Sequence, residues 1–313
     1  MTPSLPVEGT MGIRGACVAS GLAALLAAGL AAPAFAGDED PEQAPAEAAE
    51  TGEEEAESPL SGMFQSDITN AYFFRGILNE RASLIWQPWF ELYLSILQSD
   101  EGPIRDVTIG GGIWNSIHEE ETLAEDDPRI WYEADLYPLI SIEFPYAVTL
   151  TTTYYWYKSP NDAFDTVEEL NFRIEWDDSE TLGRWALAPW VNLAIETHNT
   201  SFGDDEGVGI QFGVEPTLYE WEHERYPVTI TAPLEMGLAI ENYYEEDNGE
   251  EDTFGYFSWG LGASVPLAFV PESLGDWSAS LSAKGFVFSD ALKRANDDDR
   301  LYPVVMQSLT VEF

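Results

Sequence analysis

One cysteine, three histidines and 13 lysines and arginines occur among 313 residues. A lone cysteine forms no disulfide framework. Three histidines leave little material for histidine-based catalysis. Thirteen bases against 57 acids give a formal net charge of -44. That balance excludes nucleic acid as a partner, because its binding depends on Lys and Arg contacts with phosphate. Long apolar runs are missing after residue 36, so the chain is no bundle of membrane-spanning helices, each of which needs roughly 20 such residues. Helical periodicity is also nearly absent beyond residue 59. What remains is 45% hydrophobic and 13% aromatic, ample for an ordered structure.

Arg14, an Ala/Gly/Leu-rich apolar stretch and the small-x-small end Ala34-Phe35-Ala36 are the three parts of an export signal. Residues 1–36 are therefore expected to be cleaved, and Cys17 with them. Residues 37–58 hold ten acids and no base among Ala, Pro and Gly. Such a segment buries too little apolar surface to offset its ordering entropy, so a flexible acidic tail is expected.

Over 59–313 the sequence alternates with period two, as strands with unlike faces do. Leu170, Phe172, Ile174 and Trp176 alternate with Glu169, Asn171, Arg173 and Glu175. Val191, Leu193 and Ile195 alternate with Asn192, Ala194 and Glu196, and Ile210 and Phe212 with Gln211 and Gly213. The pattern predicts strands over 63–75, 85–98, 104–116, 129–143, 146–158, 167–177, 184–198, 208–221, 227–244, 253–268, 276–289 and 301–313. Several exceed 12 residues, whereas strands of soluble proteins cluster near five or six. Crossing a bilayer at a tilt takes about 9–11 residues.

The predicted connections alternate in length. Those after odd strands (76–84, 117–128, 159–166, 199–207, 245–252 and 290–300) are longer on average than those after even strands (99–103, 144–145, 178–183, 222–226 and 269–275). Outer-membrane barrels have long outer loops and short periplasmic turns. Trp86, Trp114, Trp131, Trp156, Trp176, Trp185, Trp221, Tyr243 and Tyr244 lie near strand ends, where an aromatic belt meets the membrane interface. The chain closes on Val305, Leu309, Val311 and Phe313, similar to the signal by which outer-membrane barrels engage their assembly machinery. The expected fold is all-β: a transmembrane, antiparallel, up-and-down β-barrel of about 12 strands in the cell outer membrane, among lipid and lipopolysaccharide.

The first strand reads Ser66-Asp67-Ile68-Thr69-Asn70-Ala71-Tyr72-Phe73-Phe74-Arg75-Gly76-Ile77. It resembles the opening strand of the TorF-like porins, which carries a similar Ser-Asp, aromatic, Arg-Gly-Ile pattern. The resemblance is specific over about a dozen residues and general beyond them. It implies an outer-membrane barrel with a transport role and brings no catalytic or binding residues.

With the apolar face turned to lipid, the opposite face projects charge into the lumen. The candidates are Asp67 and Arg75 on the first strand, Glu91 on the second, and Glu133 and Asp135 on the fourth. Glu169, Arg173 and Glu175 follow on the sixth, Glu196 on the seventh and Glu215 on the eighth. Glu235 and Glu241 on the ninth and Lys284 on the eleventh complete the set, ten acids against three bases. A lumen so lined concentrates cations, and three bases cannot neutralise ten acids within a paired plug.

The acid-rich loops 117–128 and 245–252 are candidate sites for divalent cations, which take oxygen ligands, although no EF-hand spacing is present. Catalytic motifs are missing: no Gly-x-Ser-x-Gly, His-Glu-x-x-His or phosphate loop occurs. No enzyme activity and no cofactor are expected. The sequence reads as a porin-like channel for small hydrophilic solutes with a preference for cations. A non-conducting structural or adhesive barrel is the alternative, and a secreted soluble β-protein a third.

Overall fold

The computed structural model describes residues 58–203, 205–223, 226–244 and 252–313. The export signal expected over 1–36 and nearly all of the tail expected over 37–58 lie outside these residues.

All strands belong to one antiparallel sheet. β1 (Leu60–Phe74), β2 (Ile77–Gln98), β3 (Asp106–His118), β4 (Trp131–Phe144), β5 (Val148–Lys158), β6 (Val167–Trp176) and β7 (Trp190–His198) pair in sequence order. β8 (Val208–Val214) and β9 (Thr217–Trp221) form one crossing, and β10 (Val228–Thr231) and β11 (Leu234–Glu241) the next. β12 (Phe254–Pro266) pairs with both parts of the latter, then β13 (Asp276–Phe288) and β14 (Leu301–Glu312) follow. β14 returns to β1 with Phe64 opposite Val311. The result is a closed barrel of twelve crossings.

Two predicted strands, 208–221 and 227–244, are interrupted in mid-crossing. The breaks fall at Pro216 and Pro233, which have no N–H to give to a ladder. Their carbonyls still accept, from Ala232 N–H (3.0 Å) and Gly260 N–H (2.9 Å), so the sheet stays continuous around them.

The faces are inverted relative to a soluble protein. Trp86, Leu92, Ile113, Leu136, Ile174 and Phe212 are exposed on the outside, whereas Asp67, Glu91, Glu133, Asp135, Glu169 and Gln211 are buried within. An exterior of contiguous Leu, Ile and Trp around a charged interior is the arrangement of a barrel solvated by lipid.

Three expectations are corrected. The loop predicted over 76–84 does not exist: Arg75 (φ 47°) and Gly76 (φ 87°) make a two-residue turn and β2 begins at Ile77. Positive φ at both central positions marks a type I′ turn, whose twist matches the flanking strands. The seventh strand starts at Trp190 rather than 184. There, the Asp178 carboxylate accepts from Leu187 N–H (3.0 Å) and Ala188 N–H (2.9 Å), and Pro189 cannot donate. The contrast between long and short connections is consequently weaker than the sequence suggested. Finally, Tyr243 and Tyr244 are buried inside the barrel, at 1% and 0% exposure, and Trp114 faces the lumen, so none belongs to an interfacial belt. Asn242, at φ 52°, redirects the chain ahead of the two tyrosines.

Gly62 serves the seam between first and last strands. Its N–H donates to Phe313 O (2.7 Å) and its carbonyl accepts from Phe313 N–H (3.0 Å). A Cβ at Gly62 would lie 2.7 Å from the Phe313 ring, so glycine gives the terminal aromatic its place.

Leu136, more than half exposed in the middle of β4, tests the direction of the faces. Leu136→Arg should lower stability in lipid vesicles by about 2–4 kcal/mol, read from reversible urea unfolding. A soluble sandwich bearing that residue in water would tolerate the change.

Candidate functional site

The lumen is divided. A cavity of about 1140 Å³ runs from the short-turn end, where Glu143, Ala147 and Asp177 line it, to the tip of the β1–β2 hairpin at Phe73, Phe74 and Arg75. A smaller one of about 400 Å³ lies toward the long loops, lined by Asn79, Glu133, Phe164, Asn199 and Glu206 among others. Phe74 and Tyr157 line both cavities, with ring centroids 5.2 Å apart at 67°.

The hairpin tip forms the partition because it leans across the barrel. Phe73 stacks on Phe286 (5.0 Å) and Phe288 (5.4 Å) of β13. Phe74 meets Tyr157 of β5, and the Arg75 guanidinium lies 4.8 Å from the Phe74 ring and 5.5 Å from that of Tyr243. Arg75 binds Glu169 of β6 with both terminal nitrogens, donates to Tyr243, and reaches Asn171 Oδ1 at 3.1 Å. Glu169 is wholly buried and also accepts from Tyr157 (3.1 Å), Tyr243 (3.0 Å) and Asn171 (2.6 Å). A buried carboxylate is tolerable only when paired and hydrogen-bonded in this way.

The last long loop locks the tip from the other side. Asn296 Nδ2 donates to Gly76 O (2.7 Å), and its Oδ1 accepts from Leu78 N–H (2.8 Å). Tyr244 Oη donates to Arg75 O at 3.1 Å. Any Cβ at Gly76 would stand 2.8 Å from Leu292 and Tyr256 side chains, so glycine is needed for close approach as well as for its φ.

Of the residues singled out in the sequence, Asp67, Arg75, Glu91, Asp135, Arg173, Glu175, Glu235 and Lys284 line the larger cavity. Glu133 lines the smaller one. Glu169 and Glu196 are buried in the wall, Glu169 under Arg75 and Glu196 holding Ser201 N–H (2.6 Å) and Gly207 N–H (2.9 Å) of the following loop. Glu215 and Glu241 line neither cavity: both are exposed, Glu215 in the break beside Pro216 and Glu241 at the end of β11. The charges that line the larger cavity are seven acids and three bases, and Arg173 is paired with Glu175 at 2.9 Å.

Sequence reasoning missed the aromatic half of the lining. Trp89, Tyr137, Tyr155 and Tyr157 sit at inward positions of β2, β4 and β5, with Tyr137 and Tyr155 centroids 4.8 Å apart and Tyr155 and Tyr157 stacked at 5.3 Å. The signal was present, since these residues share parity with Glu91, Asp135 and Thr153 on their strands.

His118, the last residue of β3, is buried against Tyr132 (4.8 Å). Its Nε2 is 2.8 Å from Ser116 Oγ and its Nδ1 2.7 Å from Thr122 Oγ1, which in turn donates to Glu80. A nucleophilic serine needs an open side for its substrate. Ser116 has no exposed surface and lines neither cavity. Among the described residues no group of three or more His, Cys, Asp or Glu side chains is arranged to hold a metal ion. Residues 245–251, half of the acidic-loop reading, lie outside them.

No protein-family model matches the chain, and no curated protein matches it in sequence. Solved structures do share its architecture at low similarity. An outer-membrane channel from Pseudomonas putida F1 aligns over 81% of this chain and 95% of its own, at 10% identity and a TM-score of 0.41. The NanC porin covers 80% and 98%, at 10% identity and 0.38. A BenF-like porin from Pseudomonas fluorescens Pf-5 covers 82% and 97%, at 9% identity and 0.26. At these scores the likeness adds no argument about function to the barrel already described.

Arg75→Ala should leave Glu169 buried without its cation and cost about 3–5 kcal/mol of stability, measured by urea unfolding in vesicles. Adding Glu169→Leu should restore most of that loss.

Proposed function

We propose that this chain is a porin-like channel of the Gram-negative outer membrane, one of the TorF-like porins, through which small hydrophilic solutes diffuse passively and cations pass preferentially. The observation that carries the reading is the cavity of about 1140 Å³, lined by charged and aromatic side chains, inside a closed barrel whose exterior is apolar. Seven lining carboxylates against three bases support the charge preference, because a low-dielectric wall focuses such a field and raises local cation concentration. The stretch from Ser66 to Ile77 supports the family, and within it Arg75-Gly76 is the turn that forms the partition. The long-loop end would face outward and the short-turn end the periplasm. The exposed Phe313 at the seam suits engagement by the barrel-assembly machinery, and the apolar belt suits membrane lipid and lipopolysaccharide.

One observation favours the alternative of a non-conducting barrel. The hairpin tip is held by Glu169, Asn171, Tyr244 and Asn296 together, which makes it a firm partition. Conduction then requires a path around Phe74 and Tyr157, or withdrawal of the tip.

The full-length protein, refolded and inserted in a planar bilayer under a KCl gradient, separates these readings. Discrete steps with a reversal potential on the cation side are expected, and Glu91→Gln should move that potential toward zero. Anion selectivity would contradict the assignment of the lumen charges. Silence from inserted wild-type and Arg75→Ala proteins alike would favour the non-conducting barrel.

A further inference from the structure

Two buried polar atoms in the wall of the larger cavity have no partner. Asp135 is 7% exposed, yet its Oδ1 accepts no hydrogen bond; Gln211 is 3% exposed, yet its Nε2 donates none. Both residues line the cavity. Leaving a buried donor or acceptor unmade costs about 1–3 kcal/mol, so each position asks for a ligand group of the opposite kind.

The surroundings of the two differ. Asp135 on β4 is in register with Trp114 of β3 and Tyr157 of β5. Tyr137, two residues along β4, packs on Tyr155, which stacks on Tyr157. The Asp135 side chain shares a hydrogen bond with that of Glu133, and among the described residues no ion pair joins either to Lys or Arg. A carboxylate oxygen among aromatic rings suits an organic ammonium, which draws on ring quadrupoles as well as charge. A hard divalent cation is instead held by several oxygens, carboxylates foremost, and no group of three or more His, Cys, Asp or Glu side chains is arranged to hold one among the described residues.

Gln211 ends a row of side chains that runs from Arg173 through Asn192. Arg173 of β6 pairs in register with Asn192 of β7, and Asn192 with Gln211 of β8. Asn192 Nδ2 donates to Gln211 Oε1 (2.8 Å) and to Asn171 Oδ1 (2.7 Å). The acceptor side of the Gln211 amide is thus used and its donor side is free, next but one to a guanidinium that Glu175 already holds at 2.9 Å and that a ligand would share with it. Such a row suits a carboxylate.

We propose that the larger cavity is a binding site for a small zwitterion of the amino-acid class, its ammonium held at Asp135 among the aromatic rings and its carboxylate at the Gln211–Arg173 row. As a substrate class for the channel this rests on the reading above, but the site itself is read without current.

The full-length protein, folded in detergent micelles, is titrated calorimetrically with three probes of equal chain length: 4-aminobutyrate, butylamine and butyrate. The zwitterion should bind best, butylamine about tenfold more weakly and butyrate not detectably, as expected when a hydrogen bond to a charged group is lost. Gln211→Ala should weaken 4-aminobutyrate by about tenfold and leave butylamine unchanged. Asp135→Asn should weaken both. Equal affinity for butylamine and 4-aminobutyrate, or an unaltered Gln211→Ala, would overturn the zwitterion assignment. No binding of any probe to wild-type protein with folded-barrel gel mobility would overturn the site. Binding by a protein that passes no current would fail the channel and keep the site.

Discussion

Hydrocarbon offers no hydrogen bonds, so a chain that crosses it must satisfy every backbone N–H and C=O from within. For strands the solution is closure, and here closure rests on the β1–β14 seam, from Met63 opposite Glu312 to Thr69 opposite Met306. Once the sheet is closed, side-chain period two has only two destinations, lipid and lumen. Every outward apolar position commits its neighbours inward, which is how Glu91, Asp135, Glu169 and Gln211 come to be buried in one space. The charge of the lumen is therefore a consequence of alternation acting on an acid-rich sequence.

Buried charge then has to be stabilised, and the barrel does so unevenly. At the level of the hairpin tip, Glu169 receives Arg75 and three further donors, and rings from β1, β5 and β13 close around the pair. Below it buried carboxylates form part of the wall of the larger cavity, with Glu91 held by Tyr93 and Tyr137 and Asp135 left one acceptor short. The level of the tip thus behaves as a packed core and the space below it as a vessel walled by charged and aromatic side chains. The partition between them comes from the turn of a strand pair, with no inserted domain.

Much of this was legible in the sequence because period two is a local signal. The twelve crossings, the inward parity of Asp67, Glu91, Asp135 and Arg173, and the even count follow from alternation alone. The errors arose where another constraint outranked it. Pro216 and Pro233 fit the alternation but cannot donate to a ladder. Trp185 and Leu187 also fit it, yet Asp178 captures the backbone N–H groups that a strand would need. Glu215 and Glu241 share the inward parity but stand at a break and at a strand end, where parity no longer fixes direction. The partition was hidden for a different reason: Arg75 and Glu169 are 94 residues apart, and only closure of the barrel brings them together.

Alternate residues of one strand face water and lipid throughout this barrel. On β5, Thr149, Thr151 and Thr153 line the cavity, while Leu150 and Thr152 point outward. Single cysteines at these five positions, in a Cys17→Ser background and inserted in vesicles, are exposed to a charged maleimide that does not enter hydrocarbon. Rapid labelling at 149, 151 and 153 with protection at 150 and 152 is the predicted result. Uniform labelling, or the reverse alternation, would contradict a water-filled lumen bounded by a lipid-facing wall.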